Sequence, residues 1–174
     1  MSTVGRVNFE LISDLLDMQR RDFPLADTTL ADPTSATCMI DGEWLTLDTS
    51  YKLVRASTIG SVGNEATKRS FPLFAEKGRY DVRAIAGTKM PVLFIGEYEA
   101  DTRIFDASVT VGSGAPITAV MQPLKVATIT IGSRNYTGLV GHGGSGDTSL
   151  IVGYVTRLPA SNGGKLRFIS GGRR

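Results

Sequence analysis

From residue 124 onward the chain is built of short runs of alternating apolar and polar positions, interrupted by glycine-rich turns. LKVATITIG, NYTGLVG, TSLIVGYVTRL and KLRFI each read as a strand, because a period of two places every other side chain on one face, against a core. The connections, a turn at Gly132, the loop HGGSGD and the turn PASNGG, join them as antiparallel hairpins. Earlier in the chain, CMI, a turn at Asp41 and Gly42, and EWLTLD predict another hairpin, with Trp44 filling a small core. YKLVRAS continues the strand texture, GSVGNEATKRS reads as a loop, and VLFIGEYEADTRIFDASVTVG supplies two more strand-like runs. The predicted fold is mainly β, with an antiparallel β-barrel or sandwich as its body.

The head of the chain follows a different period. Asn8 is a good helix cap, and Phe9, Ile12, Leu15 and Leu16 then fall near one face, which predicts a short amphipathic helix over about 9–21. Pro24 and the Thr, Asp and Pro content of PLADTTLADPT stop that helix and make an extended connector. A lone helix of this length is marginal in water, so its apolar face needs a surface to cover, on its own body or on another subunit. Three regions follow: an N-terminal arm over 1–35 with the helix and connector, a β-rich body over 36–170, and a basic tail over 171–174. GSGAP and the prolines at 116 and 123 mark a candidate division of the body near 112–123.

Charge sharpens this division. The net charge is +2, but residues 1–50 hold three basic and nine acidic side chains, and residues 124–174 hold seven basic and one acidic. An acidic head and a basic tail fit an arm lying on the basic region of a neighbouring copy or another assembly component, and equally fit solvated charge. No apolar run approaches the ~20 residues of a spanning helix, and no membrane association is expected. The N-terminus lacks the basic start and continuous apolar stretch of a secretory signal.

The chemistry is sparse, with one histidine, His142, and one cysteine, Cys38. A single cysteine cannot form a disulfide within the chain, and one of each residue makes a zinc site a poor expectation. GHGGSG at 141–146 matches a dinucleotide-binding glycine pattern letter for letter, but a strand follows it where a helix is needed to hold pyrophosphate. Asp147 stands where a P-loop has lysine, so the stretch reads as a flexible hairpin loop, and His142 as an exposed loop residue without a positioned nucleophile. Glu97, Glu99 and Asp101 alternate along EYEAD. They fit a hard-cation site, a hydrolytic carboxylate pair, or a row that pairs with basic residues. Lys165, Arg167, Arg173 and Arg174 are basic, yet only Phe168 lies among them, whereas single-strand binders interleave aromatic platforms; nucleic-acid binding is not expected. No catalytic residue, metal ligand or cofactor is assigned.

An acidic helical arm, an extended connector, GEWLTLDTSYKL, FPLFAEKGRYDVRA, GYVTRLP and KLRFI together resemble small virion proteins of tailed bacteriophages, in particular capsid decoration, or cement, proteins. The resemblance implies a β-rich, often oligomeric protein, made in the host cytoplasm, that binds and reinforces the outer surface of a capsid by bridging major capsid subunits. Its partners would be the major capsid protein and neighbouring copies of itself. The arm and the glycine loop are the natural contact elements, which makes Phe9, Ile12, Leu16, Arg20, Arg21, Gly143 and Gly144 the candidate partner contacts. A phage tail or baseplate component is the alternative within the same class. Outside it stands a carbohydrate- or cell-surface-binding β module, with Trp44 and Tyr136 as its aromatic platforms.

Overall fold

The structure, a computed structural model, describes residues 9–12, 19–27, 38–55, 70–72, 89–95, 97–108, 114–147, 149–161 and 164–170. Its eleven strands are all short or middling: β1 (Phe9–Leu11), β2 (Gln19–Pro24), β3 (Trp44–Leu47), β4 (Leu53–Arg55), β5 (Ser70–Pro72), β6 (Lys89–Ile95), β7 (Glu99–Thr102), β8 (Pro123–Ile131), β9 (Arg134–Gly141), β10 (Gly153–Arg157) and β11 (Leu166–Ser170). They form three antiparallel sheets: β1-β7-β11-β10-β8-β9, the pair β2-β6, and β4-β3-β5. The large sheet curls into a half-barrel. Among the described residues no helix is long and apolar enough to cross a membrane.

The C-terminal hairpins follow the sequence pattern closely. β8 and β9 pair from Leu124–Gly141 to Ile131–Arg134 across a two-residue turn. Gly132 takes the first turn position at φ +66°, the conformation that a II′ turn demands and that matches the twist of the strands. β10 and β11 pair through Gly153–Ser170, with a register shift between Val155 and Arg157.

The arm departs from expectation. The described parts of the segment predicted as a helix over 9–21 are strands, β1 at one end and β2 at the other, while residues 13–18 lie outside the described residues. β1 adds to the edge of β7 in the register Phe9–Thr102, Glu10–Asp101, Leu11–Ala100. Phe9 is buried, packing its ring edge-on to Tyr98 at 6.5 Å. Burial of Phe9 in the sheet core outweighs a local helical spacing that only a few residues support. The hairpin predicted from CMI is also displaced: residues 38–40 are not strand, and β3 pairs instead with β4 and β5. Across the candidate division at 112–123, β7 from one side pairs with β11 from the other.

Three apolar clusters hold these sheets together. The largest lies inside the curl and includes Phe9, Trp44, Leu93, Tyr98, Leu124, Leu139, Val155, Leu166 and Phe168. A second joins Leu25, Met39, Leu45, Leu53, Met90 and Val92. Consecutive residues of β3, Trp44 and Leu45, belong to different clusters, as do Val92 and Leu93 of β6. Adjacent side chains on a strand point to opposite faces, so β3 and β6 sit between the two clusters and are apolar on both sides. The third cluster, Ile104, Ile129, Tyr136 and Val140, covers the outer side of β9.

Candidate functional site

The outer face of the curl carries a row of charge. Glu10 of β1, Asp101 of β7, Arg167 of β11 and Arg157 of β10 are successive partners across four strands. Arg167 donates from Nε to Asp101 Oδ1 at 2.8 Å and from Nη2 to Oδ2 at 3.0 Å, and Arg157 Nη2 donates to the same Oδ2 at 3.2 Å. Two guanidiniums facing each other across a ladder would repel; the Asp101 carboxylate, which accepts from both, offsets that cost. Beside this row, Lys165 bonds Glu10 at 2.5 Å, and the Thr156 hydroxyl donates to Glu99 at 2.7 Å. The hydrogen bond from Arg167 is the main cause that holds the Asp101 carboxyl below its ordinary range, against partial burial and with help from the nearby charges of Arg157 and Lys165. A carboxyl held ionised in this way is a poor proton donor. The acidic head and basic tail thus meet within one chain, through Glu10 and Lys165. Glu97 is exposed and stands outside the row.

The glycine loop is a clasp. Asp147 is buried, and its carboxylate accepts from Lys125 Nζ of β8 at 2.8 Å, from the Gly143 amide at 2.9 Å and from the Ser149 amide at 3.0 Å. Burial opposes its charged form, yet Lys125, the Ser149 side chain and the two amides prevail and hold the carboxyl well below its ordinary range. The loop's amide that would face an anion is therefore already occupied by a carboxylate of the same chain. His142 takes part on both nitrogens: Nδ1 accepts from the Gly144 amide at 3.1 Å, which leaves Nε2 to donate to the Ser149 carbonyl at 3.1 Å. Its side chain is 7% exposed. The flexible loop and exposed histidine expected from the sequence are in fact a fastened loop and an enclosed ring.

A third carboxylate, Glu43, is fully buried and bonds Arg55 Nε at 2.6 Å, the Thr137 amide at 3.0 Å and the Ile40 amide at 3.3 Å. Thr137 lies on the outward side of β9, the last strand of the large sheet. Further outward groups of that strand are occupied: the Leu139 amide donates to Ile104, its carbonyl accepts from Asp106, and the Gly141 carbonyl accepts from Ala115. Over Thr137–Gly141 this partial cover makes the edge a poor template for another strand. Because residues 104–106 continue directly from β7, the same stretch of chain touches both sides of the curl.

No family model, curated protein or solved structure matches this chain. The site must be read from its own geometry.

The residues expected at a partner contact are dispersed. Phe9 is in the core and cannot meet a partner in the folded chain. Ile12 is 39% exposed at the end of β1, with its amide donating to Glu99. Leu16 lies outside the described residues. Arg20 and Arg21 lie on β2 opposite Leu93 and Val92, with Arg21 exposed. Gly143 and Gly144 are exposed but have their amides committed to the clasp. Trp44 and Tyr136, the aromatic platforms of a carbohydrate-binding module, are 1% and 5% exposed and serve the core. Among the described residues no group of three or more His, Cys, Asp or Glu is placed to hold a metal ion.

What the sequence reading missed is a surface turn. Val120 and Met121 are 55% and 64% exposed, side by side between β8 and the preceding segment. An apolar pair between two prolines, in a stretch without alternation, was its only signal in the sequence.

Proposed function

We propose that this protein is a noncatalytic virion component that binds and reinforces the outer surface of a phage capsid by bridging major capsid subunits. The observation that carries the noncatalytic part is the saturation of the groups that chemistry would use: Asp101, Asp147 and His142 spend their polar atoms on partners within the chain. The capsid part rests on the resemblance of the arm, connector and C-terminal strands to decoration proteins. Such a ligand reinforces a shell by binding the assembled lattice better than free subunits, which stabilises the lattice by mass action.

The test is to add purified protein to capsids prepared without it and to measure occupancy by co-sedimentation and the temperature at which the shells rupture. Saturable binding with a raised rupture temperature is expected. Absence of binding to both expanded and unexpanded capsids would reject the assignment and place a tail or baseplate role first.

A further inference from the structure

The two sides of the β8–β9 ribbon are finished differently. Backbone groups of Thr137, Leu139 and Gly141 point away from β8 and are met by Glu43, Ile104, Asp106 and Ala115. In an antiparallel ladder the residues opposite these also point outward, on the far side of β8. They are Thr128, Val126 and Leu124, and the alternation extends to Thr130. At Leu124 that side is taken: its carbonyl accepts from the Val152 amide at 2.9 Å, and β10 pairs with β8 only at Leu124 and Pro123. From there β10 follows the preceding turn instead. The amide of Met121, a left-handed residue at φ +62°, donates to the Val155 carbonyl at 2.7 Å, and the Val155 amide donates to the Gln122 carbonyl at 3.0 Å. Among the described residues none meets the outward N–H and C=O groups of Val126, Thr128 and Thr130, and the side chains of Thr128 and Thr130 are exposed.

The usual guards of a strand edge, namely outward charge, proline, a bulge or a covering segment, are missing here. VATITI, residues 126–131, carries no charge and no proline. Its pairing with β9 runs without a register shift, and Lys125 just before it is enclosed against Asp147. The β-branched residues of this stretch hold it extended.

We infer that this edge is a self-association site, at which β8 of a second copy adds antiparallel about a two-fold axis through Thr128. The open groups select an extended strand as the occupant, because a row of outward N–H and C=O groups is best matched by another strand backbone. β8 itself fits. With Thr128 facing Thr128 of the partner subunit, Val126 faces Thr130 of the partner subunit and Thr130 faces Val126 of the partner subunit. Each of these pairs exchanges both N–H···O=C bonds, which uses every outward group of the open stretch. The side chains suit the register: hydroxyl meets hydroxyl on the axis, β-branched groups meet beside it, and no like charges oppose. The same patch serves on both copies, as a closed two-fold dimer requires. An edge of this length falls short of the roughly 800 Å² that each side of a stable pairwise interface contributes, so the dimer is weak, with a Kd on the order of 0.1–1 mM. The inference stands apart from the capsid reading, and its test uses the free protein.

The experiment compares wild type with Thr128→Pro, Thr128→Lys and Thr128→Asp. Sedimentation and NMR relaxation are measured from about 10 µM to about 2 mM, a range that brackets the expected affinity, and thermal midpoints confirm that each variant is folded. Wild type should pass from monomer toward dimer, with the amide signals of Val126, Thr128 and Thr130 moving with concentration. Thr128→Pro removes an outward N–H that the fold leaves unbonded, and the two charged variants each set like charges across the axis; all should weaken dimerisation about fivefold or more. Mixing Thr128→Lys with Thr128→Asp should restore dimers, because opposite charges then meet on the axis, which a structural defect in either variant would not do. Wild type that stays monomeric to about 2 mM overturns the inference and leaves the edge to a strand of another protein. Dimerisation that moves no β8 amide, or that all the variants retain, overturns it too. A mixture of the charged variants that associates no better than either alone rejects the two-fold register, and the proposal falls with it.

Discussion

Two small sets of residues, one in the interior and one on the surface, invert the usual assignment of residue types. Inside, Glu43 and Asp147 are enclosed carboxylates with several partners each, and Lys125 is enclosed against Asp147; outside, Val120 and Met121 are large apolar groups held in water. Buried charges survive only when paired and hydrogen-bonded, and these act as fastenings: Glu43 joins β3 to the edge of β9, and Asp147 closes the loop after β9 onto β8. The exposed pair fastens nothing. Removing an interior charge should therefore damage the fold, whereas removing the exposed apolar pair should leave it intact.

The largest effect is expected at Glu43. Glu43→Ala leaves Arg55 and the Thr137 and Ile40 amides without their shared acceptor, between elements that cannot open separately, and should cost ~3–5 kcal/mol in denaturant unfolding. A loss below ~1 kcal/mol would mean that the pair behaves as a surface ion pair and would break the comparison at its strongest point.

Asp147→Ala comes next, at ~2–3 kcal/mol, because the loop it closes can open locally and so limits the penalty. Lys125→Met combined with Asp147→Leu should recover part of this loss by removing the stranded ammonium, but not all, since the Gly143 and Ser149 amides stay unpaired. Acid should imitate the single variant. A carboxyl whose folded value lies below its unfolded one stabilises the fold above the unfolded value near ~4 and loses that contribution as pH falls further. Thermal midpoints should therefore decline on acidification below about pH 4, and Asp147→Ala should flatten the decline. An unchanged acid profile in that variant would remove Asp147 from this role.

Asp101→Ala should cost less, ~1–2 kcal/mol, because Arg157 is 55% exposed and regains water when its partner is lost. Salt should reduce even that difference. At the small end, Met121→Gly should change stability by no more than ~1 kcal/mol and in the stabilising direction, as strain relief and the greater freedom of unfolded glycine nearly offset. Clear destabilisation by Met121→Gly would show that the turn belongs to the fold after all.

The same contrast explains what the sequence discloses. Strands β8 to β11 are legible because half-buried alternation and glycine turns are local properties of the chain. The arm misleads: Phe9, Ile12 and Leu16 have helical spacing, and only the distant β7, ninety residues on, draws Phe9–Leu11 into a strand. The run TSLIVGYVTRL is cut to Gly153–Arg157 at the point where pairing with β11 ends. TGLVG in β9 is not cleanly alternating, since Leu139 and Val140 face different clusters. Lys125 and Asp147 lie 22 positions apart, brought together by the β8–β9 pairing, and nothing in either neighbourhood announces the pair. The φ of Met121 is equally silent, because MQP carries no glycine or asparagine to mark a left-handed residue.

A reconstruction of capsids decorated with the wild-type protein tests the central claim most directly. The account predicts each copy on the outer surface, spanning neighbouring major capsid subunits, with the Glu43 and Asp147 fastenings intact. Copies on the inner surface, or each confined to a single capsid subunit, would contradict it.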